Sequence, residues 1–218
     1  YAKCGATVLL LGKTQSKLEV VYDEIEALGL ALPAILPMDL ERADFAQVQK
    51  LAGLLEKEFG HLDGVLHNAA ILGALTPLEM YDPITFEQVM RVNMTAVFML
   101  TQSLIPLLRA AQSGSVVFTS SSVGARPRAF WGAYALSKQA VEGMATIFTQ
   151  ETQNMTALRF NCINPGATRT NMRAHAFPGE DPYTLKTPED IMPVYVYLMT
   201  DEASGIKGQV IDCQPKNT

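Results

Sequence analysis

The sequence is poor in several things. No apolar run approaches the ~18 residues that cross a bilayer as a helix, so no helical membrane span is expected. Cysteine occurs three times, at Cys4, Cys162 and Cys213, an odd number without CxxC spacing. That pattern argues against a disulfide framework and for reduced thiols in a cytoplasmic compartment. Histidine is as scarce, and His61, His67 and His175 lack HxxxH spacing, so no metal site is expected. Positive charge is also short: 17 Lys and Arg stand against 22 Asp and Glu, for a net charge of -5 with no basic stripe or tail. Nucleic acid and anionic membranes are therefore poor partners. A small, uncharged-to-polar substrate suits this surface better.

What is present is a chain of 218 residues, 48% hydrophobic, long enough for one domain with a sizeable core. Short apolar, β-branched runs alternate with stretches of helical period. Strands are expected over 7–12, 33–39, 64–70, 115–121, 158–166 and 208–213. Between them, one helix places Leu18, Val21, Tyr22, Ile25 and Leu28 on a stripe ending at Gly29. A second does the same with Phe45, Val48, Leu51, Leu55 and Phe59 before Gly60. A long helix is expected over 85–108, with Pro106 in its last turn, and another over 132–150. This alternation is that of an α/β fold: a doubly wound parallel sheet of Rossmann type, three layers αβα, in a single domain. The stretch 171–190, rich in Pro and Gly, is the one irregular excursion and a candidate substrate lid.

Within the helix over 132–150, Tyr134 and Lys138 stand four residues apart, on one face. Alone, such a pair reads as a surface contact. Thirteen residues before Tyr134, the run SVVFTSS ends at Ser121, where a strand delivers side chains to a cleft. A hydroxyl, a phenol and an ammonium can converge there on one carbonyl. A free phenol has a pKa near 10, and a nearby ammonium stabilises phenolate, so Lys138 is expected to lower the pKa of Tyr134 into a useful range. Ser121 would hydrogen-bond the substrate oxygen and stabilise developing alkoxide.

Ser121, Tyr134 and the YxxSK box ending in Ser137 and Lys138 resemble the active-site pattern of the classical short-chain dehydrogenases/reductases along nearly the whole chain. The resemblance implies a fourth member, Asn93, whose backbone bends its helix and holds a water leading from Lys138 to solvent. It also implies cofactor contacts. Asp39 matches a residue that hydrogen-bonds adenine, with Leu40 beside it. Asn68 and Ala69 match the family's NNAG box, in which His67 replaces the first Asn and Ala70 the Gly; Ala70 fits if its φ is negative. Pro165, Gly166, Thr168 and Thr170 match the PGxxxT segment that wraps the nicotinamide, with Thr168 where Ile or Val is usual. Tyr134 and Lys138 are implied cofactor contacts as well. After the first strand stand Lys13 and Thr14 rather than a carboxylate, which favours NADP(H) over NAD(H). Lys13 also reads as a surface lysine leading into a helix.

The family's opening strand and TGxxxGIG turn have no counterpart here. The expectation is that roughly 30 to 40 residues, the size of a strand, turn and helix, precede the sequence given; the alternative is a truncation that binds cofactor poorly. Trp131, Met172, Phe177 and Tyr183 are candidate substrate-lining residues, Trp131 being equally readable as packing. Arg126 and Arg128 read as solvated. The resemblance further implies a homodimer or homotetramer built on the two long helices. FTSSSVG, FWGAY and KTPEDIMPVYVYLM look most like the bacterial YciK-type branch. The reading is an NAD(P)-dependent oxidoreductase acting on a carbonyl or alcohol. The alternative is a non-catalytic nucleotide-binding homologue serving as sensor or scaffold, which would have no need of a tuned phenol.

Overall fold

The computed structural model describes residues 1–152 and 157–215. Two compact units divide at Asp44, and each is described in turn.

In the first unit, β1 (Leu9–Gly12) pairs in parallel with β2 (Ala34–Pro37), Leu10 opposite Ile35. Between them runs α1 (Gln15–Ala27). Gly29, at φ 65, ends this helical segment in the left-handed region that glycine adopts without a Cβ penalty. Its apolar stripe is narrower than the sequence predicts: Leu18, Tyr22 and Ile25 are half-buried, whereas Val21 and Leu28 are exposed.

The second unit begins with α2 (Phe45–Phe59), whose Val48, Ala52 and Leu55 are buried. Then come β3 (Gly64–His67), α3 (Pro83–Met90), α4 (Ala96–Ala110) and β4 (Ser115–Thr119). They are followed by the short α5 (Ser122–Ala125), α6 (Gly132–Thr152) and β5 (Arg159–Asn164). The last elements are α7 (Asn171–Ala176), α8 (Pro188–Met199) and β6 (Val210–Asp212). The four strands form one parallel sheet in the order β3-β4-β5-β6. Strands β4 and β5 lie inside, and Val116, Val117, Phe118, Phe160 and Ile163 are wholly buried. That burial explains their unbroken apolar runs. Helices α6 and α8 both pack on β4. All six strands are shorter than predicted: β1 and β6 lose residues 7–8 and 208–209 at their amino ends, whereas β2, β3, β4 and β5 stop two or three residues before their expected carboxyl ends.

The helix expected over 85–108 is not continuous. It is α3 and α4 joined by a π-turn over Arg91–Thr95, with Asn93 at its centre. A π-turn widens the helix by one residue and re-aims the side chains within it. The excursion over 171–190 carries α7, a 3-10 turn over Pro182–Thr184 and the start of α8. A capping box between Thr187 and Asp190 sets the start of α8.

Candidate active site

Three reactive groups meet at the carboxyl end of β4. Ser121 leaves the strand in extended backbone (φ -164, ψ 160) and immediately precedes α5. Its hydroxyl is hydrogen-bonded to the phenol of Tyr134, which is only 8% exposed. One turn further along α6, the ammonium of Lys138 lies 5.5 Å from the Tyr134 ring centre and donates to the Thr119 carbonyl oxygen at 2.6 Å. Burial lowers Lys138 from 10.5 to about 8. The expectation that Lys138 lowers the phenol's pKa is not met. Burial raises Tyr134 above its ordinary value, and the Ser121 hydrogen bond offsets this only in part. The low-dielectric setting that brings the groups together disfavours phenolate, leaving Tyr134 a proton-holding group near neutrality.

Asn93 is 1% exposed and fully engaged. Its Oδ1 accepts from Ile71 N and its Nδ2 donates to Ile71 O, both at 2.9 Å; Nδ2 also reaches Ser137 Oγ at 3.1 Å. Ser137 Oγ in turn donates to the Tyr134 carbonyl oxygen at 2.8 Å. Asn93 therefore ties the segment after β3 to the second turn of α6. The bend implied by the family resemblance is present as the π-turn that turns this side chain inward.

A second hook on α6 was not anticipated. Glu142, one turn beyond Lys138, accepts a hydrogen bond from Ser120 Oγ, and Ser120 is 1% exposed. Thr119 and Ser121 flank Ser120, so α6 grips the end of β4 at two points. Gly124 makes room for this. A Cβ there would lie 2.6 Å from Ser120 Oγ and 2.7 Å from Glu142 Oε1. Burial raises the Glu142 carboxyl above the usual range. The spacing 134, 138, 142 was available in the sequence as one helical face; its partner Ser120 was not. A cavity of about 350 Å³ beside Glu142, lined also by Thr146 and Cys162, does not include the three reactive groups.

Of the proposed substrate-lining residues, three converge and one does not. Leu72, Val123, Tyr134 and Ala135 form a buried cluster on which Trp131 and Met172 pack. The Trp131 ring centre lies 6.0 Å from that of Tyr134 and 5.8 Å from that of Phe177. Tyr183 is 82% exposed and stacks under Arg169. Its placement in the pocket is corrected: Arg169 also donates to the carbonyls of Pro182 and Leu185, which holds the 3-10 turn outward.

The residues expected to hold a nucleotide fall in both units. In the first, Lys13 and Thr14 are exposed directly after β1, and Asp39 and Leu40 are half-buried just after β2. All four stand at the same end of that sheet. The Asp39 carboxylate accepts from Glu41 N at 3.0 Å, which shapes its turn. In the second unit, Asn68 and Ala69 are exposed after β3, and Asn68 Oδ1 accepts from Thr119 Oγ1 at 2.9 Å. Ala70 has no positive φ, as the replacement of Gly requires. After β5, Gln214 pins the carbonyls of Pro165 and Ala167 at 2.9 and 3.0 Å. Gly166 is exposed at φ 73, and Thr168 is buried and donates to Pro165 O at 3.3 Å. Thr170 caps α7 by accepting from Arg173 N. Among the described residues, no group of His, Cys, Asp and Glu could hold a metal ion, and no helix is long and apolar enough to cross a membrane.

A parallel α/β scaffold with polar and reactive groups at the carboxyl ends of its strands defines a Rossmann-type protein. Comparison with known proteins gives the family. Residues 1–181 match the short chain dehydrogenase pattern. The chain is 49% identical over 215 residues to the uncharacterized oxidoreductase YciK of Escherichia coli K12, covering 99% of this chain and 84% of that one. A solved short chain dehydrogenase from Salmonella enterica serovar Typhi superimposes with a TM-score of 0.96 at 49% identity, covering 99% of this chain and 88% of the other. Another, from Escherichia coli CFT073 complexed with NADPH, gives 0.95 at 50% identity, covering 99% and 89%. The chain belongs to the short-chain dehydrogenase/reductase family of oxidoreductases, with similarity to YciK-like members.

Proposed function

We propose that this protein is an NADP(H)-dependent oxidoreductase that interconverts a carbonyl and an alcohol, with NADPH favoured over NADH. The observation that carries the reading is the buried convergence of Ser121, Tyr134 and Lys138. The residues present suit a dinucleotide. Lys13 offers an exposed cation after β1. Asn68, Ala69 and the pinned Pro165–Thr168 backbone offer polar groups at the carboxyl ends of β3 and β5, beside Lys138 and Tyr134 at the end of β4. A neighbour of 50% identity was crystallised with NADPH and another with NADP, which supports the same choice here.

When bound, the nicotinamide supplies or accepts hydride at the carbon being converted. Ser121 orients the substrate oxygen and hydrogen-bonds the charge that grows there. Tyr134, kept protonated by burial, gives that oxygen its proton in reduction and takes it back in oxidation. Lys138 places a positive charge beneath the phenol, and Asn93 holds α6 in register through Ser137. Trp131, Met172 and Phe177 shield the site from water. Three unpaired thiols support a cytoplasmic location, and the exposed Phe98, Leu136 and Ile147 on α4 and α6 support a homodimer or homotetramer.

Replacing Tyr134 by Phe removes the proton donor while keeping the ring. NADPH consumption against a panel of aldehydes and ketones should fall by about 10²–10⁴-fold, with NADPH still bound in a fluorescence titration. Undiminished turnover by this variant would overturn the mechanism.

A further inference from the structure

Beside the reactive groups stands a cation that the mechanism does not use. The Arg128 guanidinium lies over the Trp131 ring, 5.5 Å from its centre, and its Nη2 is 3.4 Å from Ser122 Oγ. Ser122 is the residue after Ser121. Trp131 is the ring that meets both Tyr134 and Phe177. Arg128 therefore stands one aromatic ring away from the phenol, on the rim of the same slot.

Its charge is uncompensated. Among the described residues, no carboxylate pairs with Arg128. The neighbouring Arg173 makes a contrast: it stacks on Phe177 at 3.7 Å but is neutralised by Glu180 through two hydrogen bonds of 2.6 Å. Arg126, also exposed, adds a second positive charge two residues before Arg128, on a protein of net charge -5. The loop is also held in place at a cost. Phe130 has φ 71, the only non-glycine positive φ among the described residues, and Trp131 N donates back to Arg128 O at 3.3 Å. A left-handed backbone at a bulky residue is strained and persists only where the surroundings over-determine it. Here it turns the chain so that Arg128 and Trp131 share one side.

We propose that the carbonyl compound taken by this site carries an anionic group, bound by Arg128 while its apolar body lies along Trp131 and Phe177. This rests on the reductase reading and narrows its substrate class from the small, uncharged-to-polar compound expected from net charge alone. A guanidinium stacked on an indole is pre-oriented to offer its fork of N–H donors to a carboxylate or phosphate.

The test uses the single tryptophan of the chain as its reporter. Full-length protein loaded with NADP⁺ is titrated with para-formylbenzoate and with its methyl ester, following Trp131 fluorescence, in wild type, Arg128→Gln and Arg128→Lys. The acid should bind about tenfold or more tighter than the ester in wild type. That ratio should fall to about one in Arg128→Gln and be partly kept in Arg128→Lys. Equal affinities in wild type, a preference that survives Arg128→Gln, or no binding of the acid would each overturn the proposal. A parallel assay of NADPH consumption separates the two readings. Reduction of both probes without dependence on Arg128 leaves the reductase and removes the anion site. An Arg128-dependent preference for the acid with no reduction of any carbonyl tested does the reverse.

Discussion

At the scale of single residues, the same burial that assembles the site decides its protonation. Tyr134 moves up and Lys138 moves down because each is taken out of water, so the phenol keeps its proton and the ammonium sits close to the edge of losing its own. His67 shows the effect without any catalytic duty. It stacks on Phe118 and lies 2.9 Å from Thr101 Oγ1. The Thr101 hydroxyl gives its proton to Val97 O, so His67 Nε2 must be the donor of that pair. Burial lowers this histidine from 6.5 to about 4. Between those values the unfolded chain binds a proton that the folded chain refuses, so stability falls as pH drops through this window and the loss levels off below about 4. The loss from this group should be on the order of 2 kcal/mol, read by denaturant unfolding at each pH, and His67→Asn should flatten it. At this scale the sequence was most legible where spacing carries chemistry: Ser121, Tyr134 and Lys138 meet at the end of β4, while Asn93, which only the family resemblance implied, bonds Ile71 and Ser137. It was least legible where direction matters. Tyr183 has the same apolar ring as Phe177, and only the grip of Arg169 on the 3-10 turn faces it away.

At the scale of elements, α6 organises the site by holding the end of β4 at Thr119 and at Ser120. Glu142→Ala would leave the buried Ser120 hydroxyl without its acceptor, at a cost of about 1–3 kcal/mol, while Glu142→Gln keeps a carbonyl acceptor there and should lose less. Gly124→Ala should reproduce the Glu142→Ala loss because its methyl displaces the carboxylate. The double variant should be little worse than either single one. Melting temperatures of wild type and these four variants settle this, and simple additivity would show that the contact does not hold the strand. The π-turn, implied at Asn93 by the family resemblance alone, escaped the reading of periodicity for a physical reason. Residues 91–95 keep ordinary helical periodicity, and the bonds of Asn93 to Ile71 and Ser137 that go with the turn are made to residues distant in sequence. The parallel strands, by contrast, announce themselves through the unbroken apolar runs that burial on both faces demands. Their carboxyl ends were overestimated because 120–121 and 165–166 remain polar or small while leaving the ladder for the site.

At the scale of the whole molecule, the family sets the chemistry and the surface sets what reaches it. A chain of net charge -5 repels anions generally, so an uncompensated arginine at the aromatic slot localises any affinity for them to one place. The thiols are distributed just as unevenly. Cys4 is exposed, whereas Cys162 within β5 and Cys213 just beyond β6 are buried, pushed up to about 12 and about 11. A thiol reagent added to the native protein should consume one equivalent at once and two more only slowly, and all three promptly in denaturant. Cys162 N donates to Gln209 O and Cys213 N donates to Asn164 O, so the two silent sulfurs sit on either side of the seam between the last two strands. The protein thereby keeps time of its own opening: the rate at which those two equivalents are consumed counts how often that seam parts, with no cysteine introduced.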